Sequence, residues 1–259
     1  MENVRPARTI LGVLLVAVLG YLFFMGLTDA AGKPVLGKTV TADRVSKHFL
    51  QKNVSEQKNY KEQINDGIKI PYRMGDSGLE DAAANVVTSI VMDYRAFDTL
   101  GEVMVLFTSL TGLLLLFPSF KRKEEASEPG FIVKNGLVPL FLVVILVGAY
   151  VVLHGHLTPG GGFAGGAVIA TGLLLLILAK YDINERLLSA FETVAGLAFL
   201  TVGLLGLFME GSFLQNFLPG GVLGALNSSG TVLLINIING LKVASELGSM
   251  LTRFNRKEK

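Results

Sequence analysis

Across 259 residues, 51% are hydrophobic, only 17% are charged and 30 are glycine, the composition of closely packed helices in lipid and not of a water-soluble catalytic domain. A net charge of +2 gives no electrostatic footprint for nucleic acid. The absence of cysteine excludes disulfides, thiolate metal sites and cysteine-held iron–sulfur clusters within this chain.

The first apolar run, 9–27, follows Arg5 and Arg8 and so has the charge pattern of a secretory signal. It is longer than a signal core, and no small-x-small cleavage pattern closes it before Asp29, so a retained transmembrane helix is expected. A long polar segment, 28–79, comes next. Within it Gly32–Thr39 (GKPVLGKT) matches the phosphate-loop pattern, yet that chemistry needs a buried strand before the loop and a helix after it. A membrane helix precedes it instead, so no nucleotide is expected there. A short amphipathic helix over 80–93 is too short to cross a bilayer, which takes about 20 helical residues.

Further spans are expected at 98–117, 136–153, 163–180, 187–208 and 230–251, making an all-α integral membrane protein of about six transmembrane helices. The hydrophilic stretch Lys121–Gly130 (KRKEEASEPG) separates two apolar runs from four. This suggests two modules, 1–125 and 126–259. Lys and Arg fix the orientation. Lys121, Arg122, Lys123, Lys134, Lys180, Arg186, Arg253 and Arg256 fall in alternate connections and the tail, whereas 154–162 and 209–229 hold no Lys or Arg. Both termini are therefore expected in the cytoplasm, with 28–79 as a long external loop.

Ionisable residues inside a bilayer are costly and mark functional or packing sites. In the last span Asn236, Asn239, Lys242 and Glu246 share one helical face. Lys242 lies about 16 Å from the outer end, near the midplane. Glu192, in the fifth span, falls at a depth similar to Glu246. Two readings remain open: a hydrated half-channel for protons or sodium with Lys242 as a switchable charge, or a neutralised pair that locks the helix against a partner.

Arg95, Asp98 and Glu102 share a face if their helix is continuous, so that the arginine offsets one carboxylate and leaves the other for a cation or base. A solvated helix start explains them equally. His154 and His156 lack a third metal ligand nearby, which leaves a proton relay or a loop anchor. The adjoining PGGGFAGG matches G-x-G-x-x-G without the strand that a dinucleotide site requires. Gly162 and Gly166, four apart, instead make a small-residue face for helix packing.

His154–Ala170 (HGHLTPGGGFAGGAVIA) and Asn239–Leu247 (NGLKVASEL) resemble the B subunit of Mrp-type multisubunit sodium/proton antiporters over about 136–252. Asn85–Leu106 (NVVTSIVMDYRAFDTLGEVMVL) resembles the C-terminal part of the large A subunit, over about 80–117. The same modules occur in archaeal membrane-bound hydrogenases and related energy-converting complexes. The resemblance implies a membrane subunit with other membrane subunits as partners, and sodium ions and protons as transported species with no cofactor in this chain. In the hydrogenase-type setting a peripheral iron–sulfur arm would be a further partner. The resemblance assigns no ion-binding role to a residue here.

Overall fold

The computed structural model describes residues 14, 16–18, 20–22, 24–25, 49, 53, 74–116 and 129–255. The chain divides into two units, Met1–Asp43 and Arg44–Lys259. In the first, the described positions between 14 and 25 are helical. Leu14, Val16, Val18, Tyr21, Leu22, Phe24 and Met25 are all exposed there, as side chains facing lipid would be. The Gly32–Thr39 pattern, residues 121–128 of the linker and most of 28–79 lie outside the described residues.

In the second unit α1 (Val86–Ser89) runs into a π-turn (Ile90–Tyr94), followed by α2 (Ala96–Leu116), α3 (Phe131–Leu153), α4 (Gly162–Leu178), α5 (Glu185–Glu210) and α6 (Thr231–Asn255). Four of these, α2, α3, α5 and α6, are long and apolar enough to cross a membrane, and α4 is a shorter apolar helix. Helices α2 to α6 thus overlie the runs expected at 98–117, 136–153, 163–180, 187–208 and 230–251, and four helices rather than about six qualify as spans among the described residues. The expected amphipathic helix over 80–93 starts only at Val86, because the preceding backbone is committed elsewhere. Asn53 donates to Ala83 O and accepts from Ala83 N, and Ala82 holds a left-handed φ of 51°.

The continuity assumed from Arg95 to Glu102 also fails. Arg95 leaves helical space at φ −128°, ψ 39°, and its N–H closes an i→i+5 bond to Ile90 O at 2.8 Å. The Val91 carbonyl is taken instead by the Thr99 hydroxyl at 2.7 Å. This local repair is the kind that keeps a π-turn free of orphaned groups.

Helix α6 is the centre of the unit. Some 67% of its most apolar stretch is buried, against 28% in α5, 11% in α3 and 6% in α2. It packs along α4 and α5, while α3 lies chiefly on α4. Lipid offers no hydrophobic drive between helices, so close backbone approach has to supply the packing. A Cβ on Gly166 would stand 2.6 Å from Gly240 O, and one on Gly248 would stand 2.7 Å from Leu173 Cδ1. At Gly166, where the facing atom is backbone, only hydrogen fits. A second patch joins Ala195, Phe199 and Val202 of α5 to Val232, Ile235 and Ile238 of α6, with Met92 and Ala96 from the π-turn region.

The helix ends follow elementary capping. Asn184 accepts from Arg186 N and Leu187 N at the start of α5, and Gly211, with φ 83°, closes it in a left-handed C-cap. The basic ends gather together: Lys134 lies over the Tyr181 ring at 5.6 Å, and Arg253 Nε is 2.8 Å from Glu185 Oε1. At the opposite end the loops 154–161 and 211–230 meet residues 74–85, with an antiparallel bridge between Ser77 and Val222.

Candidate functional site

Halfway along α6, Lys242 Nζ lies 3.2 Å from Glu246 Oε2 on its own helix and 3.4 Å from Glu192 Oε1 on α5. The side chains of Lys242, Glu246 and Glu192 are 12%, 4% and 21% exposed, so the ammonium and both carboxylates are drawn into the packed interior. The ring of Phe107, reaching in from α2, lies 5.3 Å from the same ammonium, a favourable face for a cation. Apart from the ion pair with Lys242, neither oxygen of Glu246 meets a hydrogen-bond donor.

The same face of α6 carries two more buried polar groups. Asn239 is 0% exposed and neither end of its amide has a partner, while the Ser249 hydroxyl is likewise buried and unpartnered. Positions 239, 242, 246 and 249 follow helical spacing, so they form one stripe about 15 Å long. Buried polar groups normally find partners, and on this face the Asn239 amide and the Ser249 hydroxyl find none among the described residues.

Asn236 is differently employed. Its Oδ1 accepts from Gly162 N at 2.5 Å and its Nδ2 donates to Val152 O at 2.7 Å. Both ends of the amide therefore hold the turn between α3 and α4. Gly155, Gly161 and Gly162 surround it, and a Cβ at any of the three would meet its atoms. This packing explains why the PGGGF run is so rich in glycine. Gly162 and Gly166 lie directly against the Asn236–Ala244 stretch of α6.

At the loop end, Arg95 and Asp98 form a 2.6 Å ion pair, with side chains 60% and 50% exposed. Glu102, one turn further along α2, borders a 600 Å³ apolar cleft with Val87, Met92 and Phe163. His154 stacks on Tyr150 at 4.2 Å. His156 points inward, fully buried, with Nε2 3.4 Å from Ala225 O. Burial pushes its pKa below the usual histidine value, so the ring is held neutral between two loops.

Sequence reasoning overlooked several groups here. Asp81 is 0% exposed and accepts at Oδ1 from Asn216 Nδ2 at 3.0 Å, while the Asn216 backbone N–H donates to Asp93 Oδ1 at 2.9 Å. Burial, with the nearby Asp93 charge second, pushes Asp81 up to about 7. Asp93 and Asn216 also border a 950 Å³ cavity open at this end. Asn85 donates from Nδ2 to Gly155 O and Thr158 O, and its backbone N–H donates to His156 O at 2.9 Å. These partners lie 70 or more residues away, beyond any periodicity.

Residues 132–249 match the domain related to the MnhB subunit of Na+/H+ antiporters. Among solved structures, a chain of the membrane-bound sulfane sulfur reductase, an archaeal respiratory membrane complex, is 34% identical. The alignment covers 97% of this chain and 100% of that one, with a TM-score of 0.68. A chain of the Mrp complex from Dietzia sp. DQ12-45-1b shares the fold at a TM-score of 0.63 and 20% identity, over 96% of this chain and 26% of that one. The probable A/B subunit of a K+/H+ antiporter from Rhizobium meliloti is 30% identical over 49% of this chain and 15% of its own length.

Proposed function

Because this chain belongs to the family of membrane subunits that carry the MnhB-related domain of Na+/H+ antiporters, we propose that it is a multi-pass subunit of a multisubunit sodium/proton-exchanging complex. Within that complex it supplies scaffold and part of a cation path. The observation that carries the second role is the Lys242–Glu192–Glu246 cluster in the middle of a membrane helix. A buried ammonium shared by two carboxylates is an expensive arrangement for packing alone. Lysine at such a place supplies a charge that switches when one of its partners is protonated. Glu102, beside the cleft on α2, and the exposed Arg95–Asp98 pair belong to the outer approach in this reading.

A second reading is favoured by a specific observation. The match to the sulfane sulfur reductase chain runs over the whole of that chain, whereas the Mrp complex chain and the Rhizobium antiporter subunit are matched over 26% and 15% of theirs. In this reading the same subunit sits in a complex where a peripheral iron–sulfur arm drives the ion movement. The joined A-like and B-like modules, 1–125 and 126–259, suit either setting, with both termini in the cytoplasm.

Purification of the chain from native membranes in mild detergent, followed by mass spectrometry of what accompanies it, separates the two. Antiporter subunits alone would identify a free-standing exchanger. Co-purifying iron–sulfur subunits would identify a redox-driven complex. Recovery of this chain without companions would defeat both.

A further inference from the structure

We infer that the Lys242–Glu192–Glu246 site carries the protons of the exchange and leaves sodium to another place in the complex. The inference rests on the reading of the stripe as a cation path.

Three observations point the same way. The first is occupancy: the space between the two carboxylates already holds a cation, with Lys242 Nζ at 3.2 and 3.4 Å from them. A metal cation seated there would stand beside an ammonium of the same sign. On another side Nζ is covered by the Phe107 ring, which offers a π face and no ligand oxygen.

The second is the charge count. Two carboxylates and one ammonium leave a single negative charge when all three are ionised, and one proton on either glutamate removes it without any coordination shell. Of the other elements packed here, helix α4, Gly162–Leu178, contains no ionisable residue, and α2, which brings Phe107, carries Asp98, paired with Arg95, and Glu102 in its first turns towards the loop end. Towards the basic end Arg253 and Glu185 are paired with each other.

The third is what flanks the cluster. Asn239 lies one turn to one side of Lys242, and Ser249 one turn beyond Glu246, both buried with unpartnered polar atoms. Amide and hydroxyl groups donate as well as accept, which suits handing a proton along a short file of water. Hard cations instead call for several converging oxygens. Asn239 and Ser249 lie about 15 Å apart along the helix and do not converge.

The step itself is a proton transfer with no change of oxidation state. A proton arriving past Asn239 is taken by a carboxylate oxygen of Glu246 or Glu192. Lys242 turns towards the carboxylate that is still charged, and the proton leaves past Ser249. Lys242 is thus a positioning residue for the two carriers.

The test uses the whole complex in sealed vesicles and two assays of the same preparation. The first is sodium uptake driven by a pH gradient. The second is equilibrium self-exchange of radioactive sodium against unlabelled sodium at one fixed pH, which requires no proton turnover. Glu246→Gln is expected to lower gradient-driven uptake about a hundredfold, as the removal of a positioned proton carrier does, while self-exchange continues near the parental rate. Loss of both activities in an assembled complex would place sodium at this site and overturn the inference, with the path reading intact. Survival of both would defeat the path reading, and the inference with it. Should Glu246→Gln fail to assemble, the half-buried Glu192→Gln is measured in the same two assays and judged by the same outcomes.

Discussion

Replacing Asn236 tests how the central helix is held. Gly162 presents an N–H and Val152 a carbonyl, so the orientation of the amide between them is fixed, with Oδ1 towards the first and Nδ2 towards the second. Asn236→Leu, of similar size, leaves the Gly162 N–H buried without a partner, while Val152 O keeps only the 3.5 Å bond from Gly155 N. An orphaned buried group costs about 1–3 kcal/mol, so a loss of at least about 1 kcal/mol is expected. For a chain of this length one kcal/mol moves the melting temperature by about 2–4 °C, giving a fall of at least about 2 °C. Asn236→Asp keeps the acceptor for Gly162 N but turns an oxygen towards Val152 O, so it should be no less harmful. The assay is thermal unfolding of the detergent-solubilised protein, followed by the loss of its monodisperse peak on size exclusion. An Asn236→Leu protein that melts within about 1 °C of the parent would refute the reasoning, because the Gly162 N–H would then have found another partner at no cost.

Gly166→Ala should destabilise by about 1–3 kcal/mol, since its methyl would stand 2.6 Å from Gly240 O and 2.9 Å from Val243 Cβ. Gly196→Ala, with nothing within 4 Å, should be neutral or slightly stabilising in the same melting assay. The buried Asp81 should make stability fall with rising pH. Its pKa moves from 3.8 to about 7 on folding, so the native state keeps a proton that the unfolded chain releases between those values. The contribution is complete below 3.8, declines as pH rises and is gone above about 7. Asp81→Asn, which still accepts from Asn216, should flatten that decline in melting curves taken from pH 4 to 8, with a largest difference of about 4 kcal/mol. Parallel curves for the two proteins would argue against a buried, protonated Asp81.

The spans and the central cluster were legible because both follow helical period. A run of apolar residues gives a span, four-residue spacing puts Lys242 beside Glu246, and a constant rise per residue puts Glu192 at their depth. The structure places these three within 3.4 Å. Period fails wherever the backbone leaves the helix. Arg95 reads as one more helical position, yet it follows a π-turn whose freed Val91 carbonyl is taken by the hydroxyl of Thr99, eight residues on. Asn85, Asn216 and Asp81 act on partners 70 to 135 residues distant, and no local pattern announces such bonds. Asn236 shared the polar face of Lys242 in sequence, and only its neighbours reveal that its amide is fully engaged with the PGGGF turn.

The glycine contact between α4 and α6 has a mechanical consequence. Where Gly162 and Gly166 meet the backbone of Asn236 and Gly240 and the Cβ atoms of Asn239 and Val243, no long side chain separates the two helices. Two backbones this close leave little room for a screw or piston motion of α6 against α4, which makes the pair a rigid axle for the side chains that project from it.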